Sequence, residues 1–279
     1  MAKVRVDVLL VERGLAESRS QAQRLVMAGQ VRVDGQVVNK ASTSVSPDVL
    51  LEIDQGPPFV SRGGEKLEAA LATFKLSPAG RICADVGAST GGFTDCLLQH
   101  GARLVYAIDV GHGILHWKLR QDARVVVMER TNARYIEKLP QAVSLATVDA
   151  SFISLKILLP VIKEWFSPFS VSIDMNTGAD RPQNDVIALI KPQFEAGKRE
   201  ASRGAGVIRD PAIHYQVLVD LLSYAQEEGY AVRGLVRSPL LGAKGNVEFL
   251  TWLVYPAQSA HEISSMVESV LPDFNSLRS

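Results

Sequence analysis

From Ala84 to Phe93, through Asp85-Val86-Gly87-Ala88-Ser89-Thr90-Gly91-Gly92, an apolar strand breaks into a glycine turn and passes directly into a helix. Glycines at 87, 91 and 92 let the backbone turn sharply and bring its N–H groups against a ligand. The rest of the chain keeps this strand-to-helix rhythm. Residues 81–86, 104–109, 125–128, 145–149 and 186–190 each read as short buried strands. Helical stretches separate most of them, with 155–166 the clearest and 211–228 another. Residues 231–237 and 247–255 are close enough to form an antiparallel pair at the sheet edge. The pattern predicts an α/β, Rossmann-like fold with a mostly parallel, doubly wound sheet of seven strands. Residues 167–185 show no period and read as a surface loop. The tail from Ser259 has the spacing of one short amphipathic helix through Ile263, Met266, Val267 and Val270.

Upstream the signals change. Residues 6–13 have apolar positions at helical spacing and stop at Gly14. Ser18-Arg19-Ser20-Gln21 has the form of a capping box, and Ala22, Leu25 and Val26 give the next helix its apolar face before Gly29 ends it. Residues 31–38 are two alternating strands around Asp34-Gly35, the dipeptide suited to a type I′ hairpin. A strand at 49–53 completes a small α+β unit. Gln55-Gly56-Pro57-Pro58 then reads as a linker, dividing the chain into domains at 1–58 and 59–279.

The glycine turn has an acidic partner. Asp109 falls 24 positions beyond Asp85, at the end of the next strand, where a carboxylate meets the ribose hydroxyls of an adenosine-containing ligand. A dinucleotide would need its pyrophosphate on the helix N-terminus, usually over G-x-G-x-x-G. Here the glycine spacing differs, and Asp85 would repel a pyrophosphate while suiting the amino group of a methionine moiety. The reading favours S-adenosylmethionine over a nicotinamide cofactor.

Thirty basic and thirty acidic residues leave no net charge, so nucleic-acid binding would have to rest on local patches. The two cysteines, Cys83 and Cys96, lack metal-ligand spacing and read as core thiols, and no metal is expected. There is no signal-peptide pattern and no apolar run of membrane-spanning length. A cytosolic protein with no membrane role and no obligate protein partner is expected.

Both halves resemble known families. Val6-Asp7-Val8-Leu9-Leu10, Ser18-Arg19-Ser20-Gln21-Ala22 and Gly29-Gln30-Val31-Arg32-Val33-Asp34-Gly35 look like the small RNA-binding domain shared by a ribosomal protein, pseudouridine synthases and tyrosyl-tRNA synthetases. The later part resembles FtsJ-type ribose methyltransferases. Together they resemble the TlyA family, described as ribosomal RNA 2′-O-methyltransferases and also as haemolysins. Four motifs carry this: Ser61-Arg62-Gly63-Gly64-Glu65-Lys66-Leu67, Asp85 to Asp95, Val148-Asp149-Ala150-Ser151-Phe152-Ile153-Ser154, and Leu189-Ile190-Lys191-Pro192-Gln193-Phe194-Glu195. The match runs from residue 4 to about 256, and 167–185 looks longer than the family's usual connection.

The resemblance implies a Lys-Asp-Lys-Glu tetrad at Lys66, Asp149, Lys191 and Glu248. Methyl transfer is an in-line displacement, so positioning dominates. Lys191 is the resemblance's candidate base, and a lysine base near neutral pH needs its pKa lowered by roughly two to three units from ~10.4. A charged lysine that stabilises the developing alkoxide is the alternative. Cofactor contacts are expected from Asp85, Gly87, Ala88, Ser89, Thr90, Gly91, Gly92 and Phe93, from Asp109 and Val110, and from Thr131 and Asn132 near an adenine. In residues 1–40 seven basic residues face four acidic ones. RNA contacts are expected from Arg5, Arg19, Arg24, Arg32 and Lys40. Arg62, Lys198 and Arg199, with Arg203, extend a path toward the tetrad. No strong aromatic platform is legible, so sugar–phosphate contacts should dominate. The implied partner is ribosomal RNA or a ribosomal subunit. A haemolysin-like membrane-active protein, or an RNA-binding protein with a degenerate methylase half, are the competing readings.

Overall fold

The structure, a computed structural model, describes residues 3–54, 56–166, 171–173, 180–182, 184–196, 206–258 and 262–271. It divides into two compact units, Met1–Pro58 and Phe59–Ser279.

In the first unit β1 (Val4–Arg5) leads into α1 (Val6–Glu12), and α2 (Arg19–Met27) follows. Ser18 caps α2 by accepting from the Gln21 amide at 3.2 Å, while the Gln21 side chain accepts from the Glu17 amide at 2.7 Å. β2 (Val31–Val33) and β3 (Gln36–Val37) form the hairpin. Asp34 and Gly35 have φ of 49° and 80°, the two left-handed positions that a type I′ turn requires. β4 (Ser44–Val45) pairs with β1, and β5 (Leu51–Ile53) pairs with β2. Val6, Leu9 and Leu10 of α1 pack with Ala22, Val26, Val31 and Leu51. Full burial of a Leu or Val contributes roughly 1.5–3 kcal/mol, so this small core carries the unit.

One charge sits inside it. Asp7 is fully buried and accepts from Arg5 at 2.9 Å through both oxygens, with Gln23 at 2.9 Å and Arg19 at 3.0 Å. The Arg5 hydrogen bond, against the cost of burial, holds the Asp7 carboxyl far below the usual carboxylate range.

The second unit opens with α3 (Gly63–Phe74). It continues through β6 (Ile82–Val86), α4 (Gly92–Gln99), β7 (Leu104–Ile108), α5 (Trp117–Arg120), β8 (Val125–Met128), β9 (Leu145–Val148) and α6 (Leu155–Ile162). Next come β10 (Val171–Ile173), β11 (Asp180–Pro182), β12 (Asn184–Ile190), α7 (Pro192–Glu195), α8 (Pro211–Glu227), β13 (Ala231–Arg237), β14 (Phe249–Tyr255) and α9 (Ile263–Val270). Seven strands form one sheet in the order β13-β14-β12-β9-β6-β7-β8. β12, β9, β6, β7 and β8 run parallel, and β14 is antiparallel to both its neighbours.

Alternation along the strands divides the core in two. Ala84, Val86, Ala146, Val148, Val186 and Ala188 face one layer with α6 and α8. Cys83, Leu145, Ile187 and Leu189 face the other with α3 and α4. A sheet buried on both faces reads as continuous apolar runs, which is why these strands are legible in the sequence.

The reading of 167–185 as a loop is corrected. Within it β10 and β11 pair antiparallel, with Ser172 opposite Arg181, and β12 begins at Asn184. Main-chain pairing of a two-stranded ribbon imposes no apolar period. Asn184-Asp185 looked like loop because both are polar, yet both are buried. Asp185 is matched by the Arg81 guanidinium at 2.7 Å and the Trp252 indole N–H at 2.7 Å.

Candidate active site

The loop from β6 to α4 is built around close approaches. Gly87 and Ala88 amides donate to the Ile108 carbonyl at 2.9 and 3.1 Å, tying the loop to the end of β7. Asp109 then accepts from the Ser89 amide at 2.8 Å and the Gly111 amide at 2.6 Å. Gly91, at φ 100°, is the left-handed residue from which α4 starts. A Cβ on Gly92 would lie 2.3 Å from Ser61 Oγ, so the loop also presses against the start of α3. The N-termini of α3 and α4 therefore meet at one cavity of about 260 Å³. Ser61, Arg62, Gly63 and Lys66 line one side, loop residues Gly87 to Thr90 with Gly92 and Phe93 another, and Asp149 and residues 240–243 the remainder. Two positive helix ends and a floor of backbone amides suit a zwitterionic ligand with a carboxylate.

Asp85 does not line this cavity. It is fully buried beneath the loop and accepts from the Thr94 hydroxyl at 2.6 Å and the Thr147 hydroxyl at 3.1 Å. Burial pushes its carboxyl up to about 7, against the two threonine hydrogen bonds, and the charge of Asp149 adds to the rise. Between 3.8 and about 7 the folded chain keeps a proton that the unfolded chain has released. Stability is therefore lost as pH rises through that window, by on the order of 3–4 kcal/mol. Melting temperatures of the cofactor-free wild type and Asp85→Asn, compared from pH 4 to 8, should diverge in favour of the variant as pH rises. Parallel curves would refute the buried acid.

Asp109, Val110, Thr131 and Asn132 stand farther along the same sheet edge, after β7 and β8, outside the cavity lining. Val110 is exposed, as are Ile114 and Trp117, which the sequence reading passed over. Glu129 secures the Val110–Trp117 stretch through the Gly113 amide at 2.9 Å, the His112 ring at 3.0 Å and Arg120. The Gly113 hydrogen bond, joined by Arg120, holds its carboxyl down to about 2. Asn132 accepts from the Arg134 amide at 3.2 Å, so its side-chain oxygen caps a local turn.

The tetrad assembles as two ion pairs. Lys66 Nζ is 2.6 Å from Glu248 Oε2, and Lys191 Nζ is 2.7 Å from Asp149 Oδ1. The topology explains this convergence. Lys191 follows the end of β12 and Glu248 precedes the start of β14. Because these strands are antiparallel, with Ile190 opposite Phe249, that end and that start lie side by side. Asp149 follows β9, and a Cβ on Gly87 would lie 2.7 Å from its carbonyl oxygen. Lys191 spends its hydrogen bonds on Ser151 Oγ at 2.9 Å and the Asp149 carbonyl at 3.4 Å. Its contact with Asp149 Oδ1 is charge pairing without hydrogen-bond alignment, and that buried oxygen makes no hydrogen bond of its own. Gly242 closes the other pair, since a Cβ there would lie 1.9 Å from Glu248 Oε1. Two lysines and two carboxylates beside a ligand-sized cavity can hold a hydroxyl and steady the charge that develops on it.

Ser151, Phe152 and Gly242 were not singled out from sequence. Phe152 is 89% exposed, at φ 64°, a left-handed backbone uncommon for a bulky residue. Its ring lies 4.8 Å from that of Phe194, which in turn is 5.9 Å from Lys191 Nζ.

The basic residues divide. Arg5 and Arg19 are committed in part to Asp7, and Arg32 donates to the Gly35 carbonyl at 3.3 Å. Arg24, Lys40 and Arg62 are exposed, Arg62 at the cavity rim. Lys198, Arg199 and Arg203 lie outside the described residues.

Residues 59–255 match the FtsJ-like methyltransferase family and residues 4–51 match the S4 domain. The chain is 47% identical to a candidate rRNA methyltransferase, YqxC, of Bacillus subtilis, over 92% of this chain and 87% of that one. It is 45% identical to the 16S/23S rRNA (cytidine-2′-O)-methyltransferase TlyA of Mycobacterium tuberculosis, over 90% of each. A solved structure of a candidate hemolysin from Streptococcus thermophilus superposes with a TM-score of 0.70 at 41% identity, covering 99% of this chain and 97% of that one.

Proposed function

The chain belongs to the TlyA family, an FtsJ-like methyltransferase domain behind an S4 domain, and from that we propose that it methylates a ribose 2′-hydroxyl of ribosomal RNA with S-adenosylmethionine. The observation that carries this reading is the meeting of the Lys66–Glu248 and Lys191–Asp149 pairs beside the glycine loop. A base methylase needs groups for a ring nitrogen or carbon. Two lysines aimed by carboxylates suit a hydroxyl oxygen that gains negative charge as it loses its proton.

When bound, S-adenosylmethionine supplies an electrophilic methyl group. Gly87, Gly91 and Gly92 let the loop that would hold it pack closely on the protein, because Cβ atoms there would meet Asp149, Leu119 and Ser61 within 3 Å. The amides of the loop and the starts of α3 and α4 receive its carboxylate. Asp109 is assigned to the ribose and exposed Val110 to the adenine face, with Thr131 and Asn132 beside it. Lys191 holds the RNA hydroxyl and steadies its oxygen, Asp149 and Ser151 aim Lys191, and Lys66, held by Glu248, adds the second positive charge. The S4 unit, with Arg24 and Lys40, and the rim residue Arg62 take the phosphates. No described helix is long and apolar enough to cross a membrane. Methylation of ribosomal RNA would take place in the cytoplasm, where ribosomes are assembled.

The test is transfer of labelled methyl from S-adenosylmethionine to ribosomal subunits and to naked rRNA, with 2′-O-methyl positions mapped on the product. Label on a ribose of one or a few nucleotides is expected. Label confined to bases, or no transfer to any ribosomal substrate, sinks the reading.

Phe152 gives a narrower prediction. A base turned out of its stack beside Lys191 would find that exposed ring, and stacking on one aromatic contributes about 1–3 kcal/mol. Phe152→Ala should lower kcat/KM by roughly 10–100-fold, mostly through KM, with the melting temperature unchanged. Wild-type kinetics in the variant would leave the ring without this role.

A further inference from the structure

Three side chains with metal-binding atoms meet away from the glycine loop, and nothing in the proposed methyl transfer uses them. Glu68 lies on α3, while Cys96 lies on α4 and His100 caps its end; their ligand atoms all fall within 4.8 Å of one another. Cys96 and His100 are four residues apart, so one face of α4 presents both. Sequence spacing could not show this, because Glu68 arrives only through the packing of α3 on α4.

We propose that Glu68, Cys96 and His100 form a zinc site, with water as the fourth ligand. Thiolate, imidazole and carboxylate together are the donor set of a borderline-soft, tetrahedral ion. Zn–S near ~2.3 Å and Zn–O near ~2.0 Å give a tetrahedral S···O edge of roughly 3.5 Å. Cys96 Sγ and Glu68 Oε2 are 3.7 Å apart. The same Glu68 oxygen is hydrogen-bonded to His100 Nε2, and a rotamer change of the half-exposed glutamate opens that contact to admit an ion. The site is closed on its inner side by wholly buried Cys96 and open to solvent past His100 and Glu68, at 37% and 45% side-chain exposure. It lies at the C-terminal end of α4, where the helix dipole favours a cation.

Binding replaces a proton. The Cys96 S–H bond breaks, sulfur keeps the electron pair and donates it to the metal, and the proton passes to solvent. Zinc here would clamp α3, two residues beyond Lys66, to the helix that begins at the glycine loop.

The test uses the full-length protein, stripped with chelator and titrated with Co²⁺ as a spectroscopic stand-in for zinc. One equivalent should produce a near-ultraviolet thiolate-to-cobalt band with tetrahedral visible bands, and Zn²⁺ should bleach both. Cys96→Ser should abolish the thiolate band. His100→Gln, at a half-exposed position that leaves the core intact, should weaken binding at least tenfold and remove the rise in melting temperature that zinc gives the wild type. No thiolate band in the wild type, a band that survives Cys96→Ser, or unchanged affinity in His100→Gln would each overturn the site. These readouts do not involve methyl transfer, so they stand apart from the fate of the proposed activity.

Discussion

Lys191→Ala is expected to lower methyl transfer to ribosomal RNA by about a thousandfold or more, with S-adenosylmethionine affinity and melting temperature near those of the wild type. Positioned proton transfer and charge stabilisation contribute on the order of 10²–10⁴ in rate each. Lys191 is held in place for either role by Asp149 Oδ1 at 2.7 Å and Ser151 Oγ at 2.9 Å. The loss should fall on kcat, because the lysine meets the reacting oxygen and not the bulk of the RNA. Lys191→Arg separates the two roles left open by the sequence. Arginine keeps charge and donors but cannot act as a base, so partial activity assigns Lys191 to stabilising the alkoxide. A rate as low as that of the alanine variant assigns it to proton removal. Full activity in Lys191→Ala would remove the residue from the mechanism.

The second large effect is expected from Gly87→Ala. Gly87 has φ of 84°, and a Cβ there would lie 2.7 Å from the Asp149 carbonyl oxygen. That oxygen belongs to the backbone at the end of a central strand and cannot swing aside like a side chain. Either the loop lifts or Asp149 moves, and both spoil the cavity. Calorimetry should show S-adenosylmethionine affinity reduced by about 100-fold or more, since a displaced loop loses several backbone contacts at roughly 1 kcal/mol each. Gly80→Ala is the matched control. Gly80 has φ of 73° with nothing within 4 Å of the added Cβ, so it bears only the left-handed strain. Wild-type affinity in Gly87→Ala, or an equal loss in Gly80→Ala, would rule out the contact with Asp149 as the cause.

Much of the fold was legible because it rests on local chemistry. Asp34-Gly35, Ser18 and the glycine turn at residue 87 state their conformations in one or two residues. The double burial of the central strands shows as apolar runs. Asn184-Asp185 misled because a buried aspartate matched by Arg81 and Trp252 is spelled like a loop. Period-2 alternation places Asp85 on the same face as Cys83, turned toward α4 and Thr94 beneath the glycine loop. The site was legible unevenly. Asp109 beside the loop followed from spacing, whereas Lys66, Asp149, Lys191 and Glu248 came only through resemblance. Their meeting depends on β14 entering the sheet antiparallel between β13 and β12, and no local pattern in the chain encodes that insertion. Phe152 stayed hidden because an exposed phenylalanine and a core one are the same letter.

The position of β14 also bears on how the protein is made. It is the last of the described strands, yet it lies inside the sheet, and β13, synthesised before it, pairs with no other described strand. A nascent chain that has emerged only as far as residue 248 has an unpaired β12 edge, a β13 with no place to dock, and no Glu248 fixed opposite Lys66. Such an edge is a template for mispairing with other chains. Premature termination or pausing just before residue 249 should therefore yield an inert, aggregation-prone product, while the same interruption after residue 255 leaves a complete sheet. Synthesis thus keeps Lys66 without its Glu248 partner until β14 has emerged.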